Sequence, residues 1–325
     1  MHMVSRRTVL SRVATSGLMT LFPEFAVAAP SDIPKRLVFV HGRGQQGRTT
    51  GELKKGWLDA FEGGAGNRKL PTDIDVFLPF FGDTLQKFVD EFNAGTSKDI
   101  QERGQPSDEY LEFQYAVAEQ LRKNAKISDA QIEAEYGNDP KPRGPQNWAW
   151  VQAIARALDR NSPGIGETTL EAFTTDVFLY VKRRAVRDAV NKVVADVLND
   201  KPTVIVAHSL GTIVAYNILR SSKSSTQVPL LVTLGSPLAL RAVREVLEPI
   251  VFPDKVGSWY NAFDTRDIVS LYSLDPENFP ITGTSKTIEN NPGLRNETDN
   301  RHGISGYLNK PAVVSRVLDA FGVPK

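Results

Sequence analysis

The chain has 325 residues, 41% hydrophobic and 24% charged, which are ordinary globular proportions with length enough for one large domain. Lys+Arg total 39 against 38 Asp+Glu, a formal charge of +1, so no global field recruits nucleic acid or an anionic membrane surface. The absence of cysteine excludes disulfides, thiolate metal sites and a lipoprotein anchor through cysteine.

At the N-terminus, "SRRTVL" (Ser5 to Leu10) sets paired arginines ahead of the moderately apolar "VATSGLMTLFPEFAVA", which closes on Ala26-Val27-Ala28 before Ala29-Pro30. This resembles a twin-arginine export signal, and it implies an exported protein, periplasmic or secreted, cut after Ala28. Interrupted by Pro23 and Glu24, the apolar part is too short for a transmembrane helix of about 20 residues. No stable membrane anchor is therefore expected once residues 1–28 are removed, and the fold is expected in 29–325.

The first apolar run bounded by turn residues is "RLVFV" at 36–40, followed by a helical pattern around 48–61 and a second run, "IDVFLPF", at 74–80. Residues 84 to about 174 carry helical patterns, "DEYLEFQYAVAEQLRK" and "NWAWVQAIARALD", without a convincing strand between them. They read as a helical insert whose connectors, "KPRGPQ" and "NSPGIGE", supply the turns. Its aromatic residues Tyr110, Phe113, Trp148 and Trp150 either pack the insert onto the core or form an apolar wall over a site. A helix is expected over 175–199, with "FTTDVFLYVKRRAVRDAV" as a threonine-capped helix bearing a solvated basic face. Then come "TVIVA" (203–207), a helix over 210–220, "PLLVTL" (229–234), a helix over 239–247, "SWYNAF" (258–263), a weaker "KTIE" (286–289) and a helix over 311–320. Apolar runs alternating with helices predict an α/β fold: a mostly parallel sheet with helices on both faces.

In such a sheet the chemistry lies at the carboxyl ends of the strands. Ser209 stands there, on the turn from "TVIVA" into the next helix, between Ala207 and Gly211, whose small size allows helix and strand to approach closely. The helix opening at Leu210 offers its N–H and a positive dipole end to a developing oxyanion. A second donor is expected from "VFVHGRGQQG" after the first strand, where Gly42 and Gly44 let the backbone come close and Arg43 supplies its N–H.

These residues resemble the α/β-hydrolase superfamily, particularly its lipase and esterase branch. The resemblance rests on "VFVHGRG" (38–44), "VAHSLGT" (206–212), "TLGSPL" (233–238), "WYNAFDTRDIV" (259–269) and "RHGISGYL" (301–308), in the superfamily's order. Ala207 replaces the first glycine of Gly-x-Ser-x-Gly, a variant familiar in small bacterial lipases. The resemblance implies an α/β-hydrolase sheet and a serine hydrolase cleaving a small-molecule or lipid-like ester through an acyl-enzyme on Ser209, with no cofactor. An amidase or thioesterase would use the same parts, and a noncatalytic binding protein could share the fold.

A serine nucleophile needs a base, and the chain holds four histidines. His2 lies in the export segment, His41 ends a strand and should shape the oxyanion loop, and His208 adjoins Ser209 on a turn that sends neighbouring side chains apart. His302, in the late polar loop "DNRHGISGYL", remains. Two carboxylates, Asp264 and Asp267, follow "SWYNAF" in the interval where the superfamily carries its orienting acid. The resemblance favours Asp267, leaving Asp264 to cap the turn. Ser236 is expected to support the serine turn. No His, Asp or Glu cluster has metal-ligand spacing. Oligomeric state and natural substrate are left open by the sequence.

Overall fold

A computed structural model describes residues 33–103, 105–137, 143–161, 167–221 and 225–325. The export segment, residues 1–28, lies outside the described residues. No helix among those described is long and apolar enough to cross a membrane.

Residues 33–325 form one compact unit around a six-stranded sheet in which every neighbouring pair is parallel. Strand β1 (Arg36–Val40) and helix α1 (Thr50–Ala65) lead to the short edge strand β2 (Asp75–Phe77). Six helices then intervene: α2 (Gly82–Arg103), α3 (Asp108–Asn124), α4 (Asp129–Tyr136), α5 (Trp148–Asn161), α6 (Glu167–Lys182) and α7 (Arg184–Ala195). The chain returns through β3 (Thr203–His208), α8 (Leu210–Leu219), β4 (Val228–Leu234), α9 (Arg241–Leu247), β5 (Val256–Ala262) and β6 (Glu289–Asn291). It finishes with α10 (Ile304–Leu308) and α11 (Pro311–Ala320). The expected α/β class is the one observed.

Strand order is β2-β1-β3-β4-β5-β6, so the chain steps outward from β1 to β2 and then crosses to the other side of β1. Such a reversal opens a crevice at the carboxyl ends of the two strands that flank it. In register, Val40 of β1 faces Ala207 of β3, which brings the loop starting at His41 beside Ser209.

Side chains alternate across the sheet with the two-residue period of a strand. Leu37, Phe39, Val204, Val206, Val232 and Leu234 join a core under α1, α10 and α11. Val38, Val40, Ile205, Ala207 and Leu231 face the opposite core, shared with α3 and α5 to α9. Covering on both faces explains why the central strands read as unbroken apolar runs.

The edge strands differ from expectation. β2 stops at Phe77, because Pro79 follows and a proline cannot extend a hydrogen-bonded ladder. β6 lies at Glu289–Asn291 rather than at 286–289, and is held to β5 partly by side chains, Asn261 Nδ2 donating to Asn290 Oδ1 at 2.9 Å. The single helix expected over 175–199 is two, broken where Arg183 adopts an extended conformation (φ −106°, ψ 108°). There Arg187 donates to the carbonyl of Val181 at 2.9 Å, satisfying the end of α6. Thr174 and Thr175 do not cap that helix. They are buried inside α6, with hydroxyls bonded back to Leu170 and Glu171.

Candidate active site

Ser209 ends β3 at φ 53°, ψ −130°, a positive φ that a side-chain-bearing residue adopts only when its surroundings impose it. The impositions are specific. Its N–H donates to the carbonyl of Leu234 on β4 at 3.0 Å, and its carbonyl accepts from both the backbone N–H (2.9 Å) and the hydroxyl (2.7 Å) of Thr212. Because the Thr212 hydrogen is thereby used, Ser236 Oγ donates to Thr212 Oγ1 at 2.8 Å, which places Ser236 beneath the turn. Gly211 is required here, since a Cβ at this position would stand 2.3 Å from the carbonyl oxygen of Val40. At Gly42 a Cβ would stand 2.7 Å from Ser209 Cβ, so only glycine lets the β1 loop approach the serine.

His302 bridges serine and acid. Its Nε2 lies 2.8 Å from Ser209 Oγ, and its Nδ1 lies 2.7 Å from Asp267 Oδ2. An ionised carboxylate only accepts, so Nδ1 carries the hydrogen and Nε2 is left as the acceptor for the serine hydroxyl. The ring is carried on a tightly knit loop. Arg301 has φ 54°, Asn300 Oδ1 accepts from the N–H groups of His302 and Gly303 (both 3.1 Å), and Asn296 Nδ2 donates to the Gly303 carbonyl at 2.8 Å.

The two carboxylates are separated by their partners. Asp267 accepts from His302, from Val269 N–H (3.0 Å), from Ser270 Oγ (2.9 Å) and from Tyr307 Oη (2.6 Å). Asp264 faces Arg266, which binds it through backbone N–H and guanidinium, and accepts from Asn296 N–H at 2.8 Å. Burial alone would raise the Asp264 carboxyl, but those hydrogen bonds outweigh it and hold the group below the usual carboxylate range. Asp264 therefore ties β5 to the histidine loop and does not touch the imidazole.

The two remaining described histidines serve the loops. His41 is buried and stacked on Phe81 at 3.8 Å; its Nε2 accepts from Phe81 N–H at 3.0 Å, so its Nδ1 donates to the Gly42 carbonyl at 2.7 Å. Burial pushes it down to about 4, which keeps it neutral and able to accept. His208 Nε2 donates to the backbone carbonyl of His302 at 2.8 Å, and burial, with His302 beside it, drives its pKa well below the usual histidine value.

Arg43 and Leu210, the expected oxyanion donors, flank this group on the β1 loop and at the start of α8. The first N–H groups of a helix have no partner within it, and Leu210 is the first residue of α8. The Arg43 side chain reaches α6, Nε donating to Asp176 Oδ2 at 2.8 Å, on a helix that runs from the expected insert past its expected end at about 174. Burial raises the Asp176 carboxyl and the Arg43 charge opposes the rise.

An open cleft of about 280 Å³ lies over these residues, floored by His208, Asp267 and His302 and walled by Arg43, Leu121 and Phe173. No protein-family model matches this chain, and no curated protein or solved structure is significantly similar to it.

Of the two readings of the insert's aromatic residues, packing is the one observed. Tyr110 and Phe113 pack against Phe178 inside the helical layer, and Trp150 packs edge-on against Tyr136. The insert residues that line the cleft are Leu121, Leu170 and Phe173, from α3 and α6. Tyr307 and Asp176 escaped the sequence reading. Both carried a signal: a phenol five residues after His302, and one carboxylate immediately before the apolar run "VFLYV". Among the described residues no group of His, Asp or Glu is arranged to hold a metal ion.

Proposed function

We propose that this chain is a serine hydrolase of the α/β-hydrolase superfamily that cleaves carboxylic esters, small or lipid-like, through an acyl-enzyme on Ser209. The observation that carries this reading is the continuous chain Ser209 Oγ, His302 Nε2, His302 Nδ1, Asp267 Oδ2, with links of 2.8 and 2.7 Å, built on a serine of strained positive φ. Strain at a residue that accepts a proton-abstracting partner is the signature of an activated nucleophile rather than of a packing serine.

In this reading, Ser209 Oγ attacks the ester carbonyl as its proton passes to His302 Nε2. Asp267 stabilises the imidazolium, and the N–H groups of Leu210 and Arg43 hold the oxyanion. The imidazolium then returns the proton to the leaving alkoxide, which departs as the alcohol. Water enters, gives a proton to His302 and attacks the acyl carbon, and Ser209 recovers its hydrogen as the acid leaves. The neutral state of His208 matters here, since a second cation beside His302 would oppose the imidazolium.

The test is a fluorophosphonate probe followed by mass-spectrometric mapping. Ser209 is the expected sole site. Labelling at Ser236, or no labelling of folded protein, refutes the assignment.

A further inference from the structure

Beside the catalytic cleft runs a second open space, a groove of about 390 Å³ between α2, α6 and the loop after β1. Arg43 and Gly44 line both spaces, so the two meet on that loop. Gly44 is exposed, and a Cβ built on it would meet no atom within 4 Å, so the loop is open to solvent where cleft and groove meet. An ester seated at Ser209 and longer than the cleft has a course over Gly44 that needs no tunnel.

The two linings differ in kind. Leu121, Leu170, Phe173, Ile268 and Val269 make the cleft largely apolar. Along the groove, α2 presents Gln86, Val89, Asn93, Thr96, Ser97 and Ile100, whose three- and four-residue steps put them on one face of the helix. From Gln86 to Ile100 that face is about 20 Å long. Opposite it stand Glu171, Ala172, Thr175 and Asp176 of α6, with Gln46 on the loop.

This lining selects among the possible occupants. Among the described residues its single cation is Arg43, already bound to Asp176 at 2.8 Å, and Glu171 adds a second carboxylate. An anionic headgroup would therefore meet net negative charge. No aromatic ring among the described residues lines the groove, which leaves no π-face for a nucleobase or a quaternary ammonium. An alkyl chain would strip water from Gln46, Asn93, Thr96 and Ser97, whose side chains have no hydrogen-bond partner among the described residues, and would return nothing. Amide and hydroxyl side chains supply both donors and acceptors, and the hydroxyls of a polyol do the same. Val89 and Ile100 add aliphatic surface for the C–H face of a sugar ring. A polyol esterified at one position keeps its remaining hydroxyls, so the hydroxyl-rich half of such an ester is its alcohol.

We propose that the groove is the alcohol subsite of the enzyme, that the alcohol is a neutral polyol of sugar size, and that a short apolar acyl half occupies the cleft. The proposal rests on the hydrolase reading for its chemistry. Attack by Ser209 breaks the bond between acyl carbon and sugar oxygen, the sugar leaves as the free alcohol with the proton from His302, and water then releases the acid.

The experiment compares two esters with the same acyl half, glucose 6-butanoate and hexyl butanoate. In the parent enzyme kcat/KM is expected to be about tenfold higher for the sugar ester, the worth of one or two neutral hydrogen bonds. Asn93→Leu, which removes the amide and keeps its bulk, should cut that ratio about fivefold, and Thr96→Trp, which fills the groove, should bring it near one. Both positions are at least partly exposed on α2, so the fold should tolerate the changes. Because a ratio is read, a general loss of rate cancels. Glucose 6-butanoate carrying a phosphate on its first carbon should be about fivefold poorer than the unphosphorylated ester. Equal rates for the sugar and hexyl esters, a ratio unmoved in either folded variant, or a preference for the phosphorylated ester would each overturn the proposal. Titration of Ser209→Ala protein with glucose 6-butanoate reads the groove without turnover. Saturable binding that Thr96→Trp weakens, in an enzyme that hydrolyses neither ester, keeps the subsite and counts against the hydrolase reading. Turnover of both esters without preference keeps the hydrolase and removes the subsite.

Discussion

The Tyr307 hydroxyl donates to Oδ2 of Asp267 at 2.6 Å, the same oxygen that takes the His302 Nδ1 hydrogen at 2.7 Å. Burial and the adjacent carboxylate drive the Tyr307 phenol far above its ordinary value, so it acts as a donor at every working pH. The acid that orients His302 is thus itself oriented, by a residue only five positions further along the chain.

Tyr307→Phe keeps the ring and removes that donor. The expected result is a fall in kcat of about tenfold, the cost of one hydrogen bond to a charged group, with KM little changed. Asp267→Asn should cost far more, up to about 10⁴, because an amide can present N–H to Nδ1 and favour the wrong tautomer. Asp264→Asn should lower the melting temperature with a much smaller effect on kcat. Steady-state kinetics on one nitrophenyl ester ranks the three, and a larger kcat loss in Asp264→Asn than in Asp267→Asn would reassign the acid.

Backbone approach gives a second expectation, this time for stability. The carbonyl oxygens of Val40 and His41 lie where a Cβ on residue 211 would be, at 2.3 and 2.4 Å. Gly211→Ala must push β1 away from α8, and both are fixed by the β1–β3 ladder. A loss of about 3 kcal/mol is expected, at the upper end of ordinary overpacking. Urea unfolding measures it; an unchanged midpoint would mean that the β1 loop can retreat freely.

Much of this architecture is readable in the sequence for a physical reason. The central strands lie between two helical layers, so "RLVFV", "TVIVA" and "PLLVTL" are apolar throughout. β6 has the polar sequence Glu-Asn-Asn because it is an edge strand, and no hydropathy pattern marks it. Ser209 and His302 stand out by motif and by the scarcity of histidine. Asp264 and Asp267 are only three residues apart, and the turn between β5 and the short 3-10 helix at Ile268–Ser270 decides which of them reaches the imidazole. Likewise nothing in the aromatic content of the insert says that leucines 121 and 170, rather than tryptophans 148 and 150, meet the cleft. That depends on how α3 and α6 are rotated about their own axes.

Buried neutral histidines make the fold sensitive to acid. His41 is pushed down to about 4 in the folded chain from 6.5 when free. A folded value below the unfolded one means that the unfolded chain binds the proton first. Stability is therefore full above about pH 6.5, is lost as pH falls, and stops falling below about pH 4. The shift is worth roughly 3 kcal/mol in total, about 2 of it between pH 7.5 and pH 5. His208 is displaced in the same direction and adds to the slope. Urea titrations at several pH values should show the decline, and His41→Gln should flatten part of it. An equally steep decline in that variant would assign the acid sensitivity to other groups.

The remaining expectation concerns how α6 acts on the loop after β1. Arg43 has its backbone in the loop after β1 that is proposed to hold the oxyanion, and its guanidinium on Asp176, a buried carboxylate of α6. The Arg43 side chain is about 29% exposed and can be hydrated, whereas Asp176 is enclosed. Removing the charge on Asp176 therefore leaves a solvated arginine and not a buried orphan, so the fold should survive. What is lost is the tether on the loop. In Asp176→Asn the N–H of Arg43 is held less firmly at the site of the oxyanion, and that donor contributes only when charge develops on the carbonyl oxygen. The loss should then fall on kcat, by about tenfold, with KM within about twofold of the parent value. Asp176→Glu, which keeps the charge, should recover part of the rate, while the melting temperatures of both variants stay close to that of the parent. A rise in KM at constant kcat would place Arg43 and Asp176 in ground-state binding of the substrate. If neither constant moves in Asp176→Asn, the ion pair does not tether the oxyanion loop.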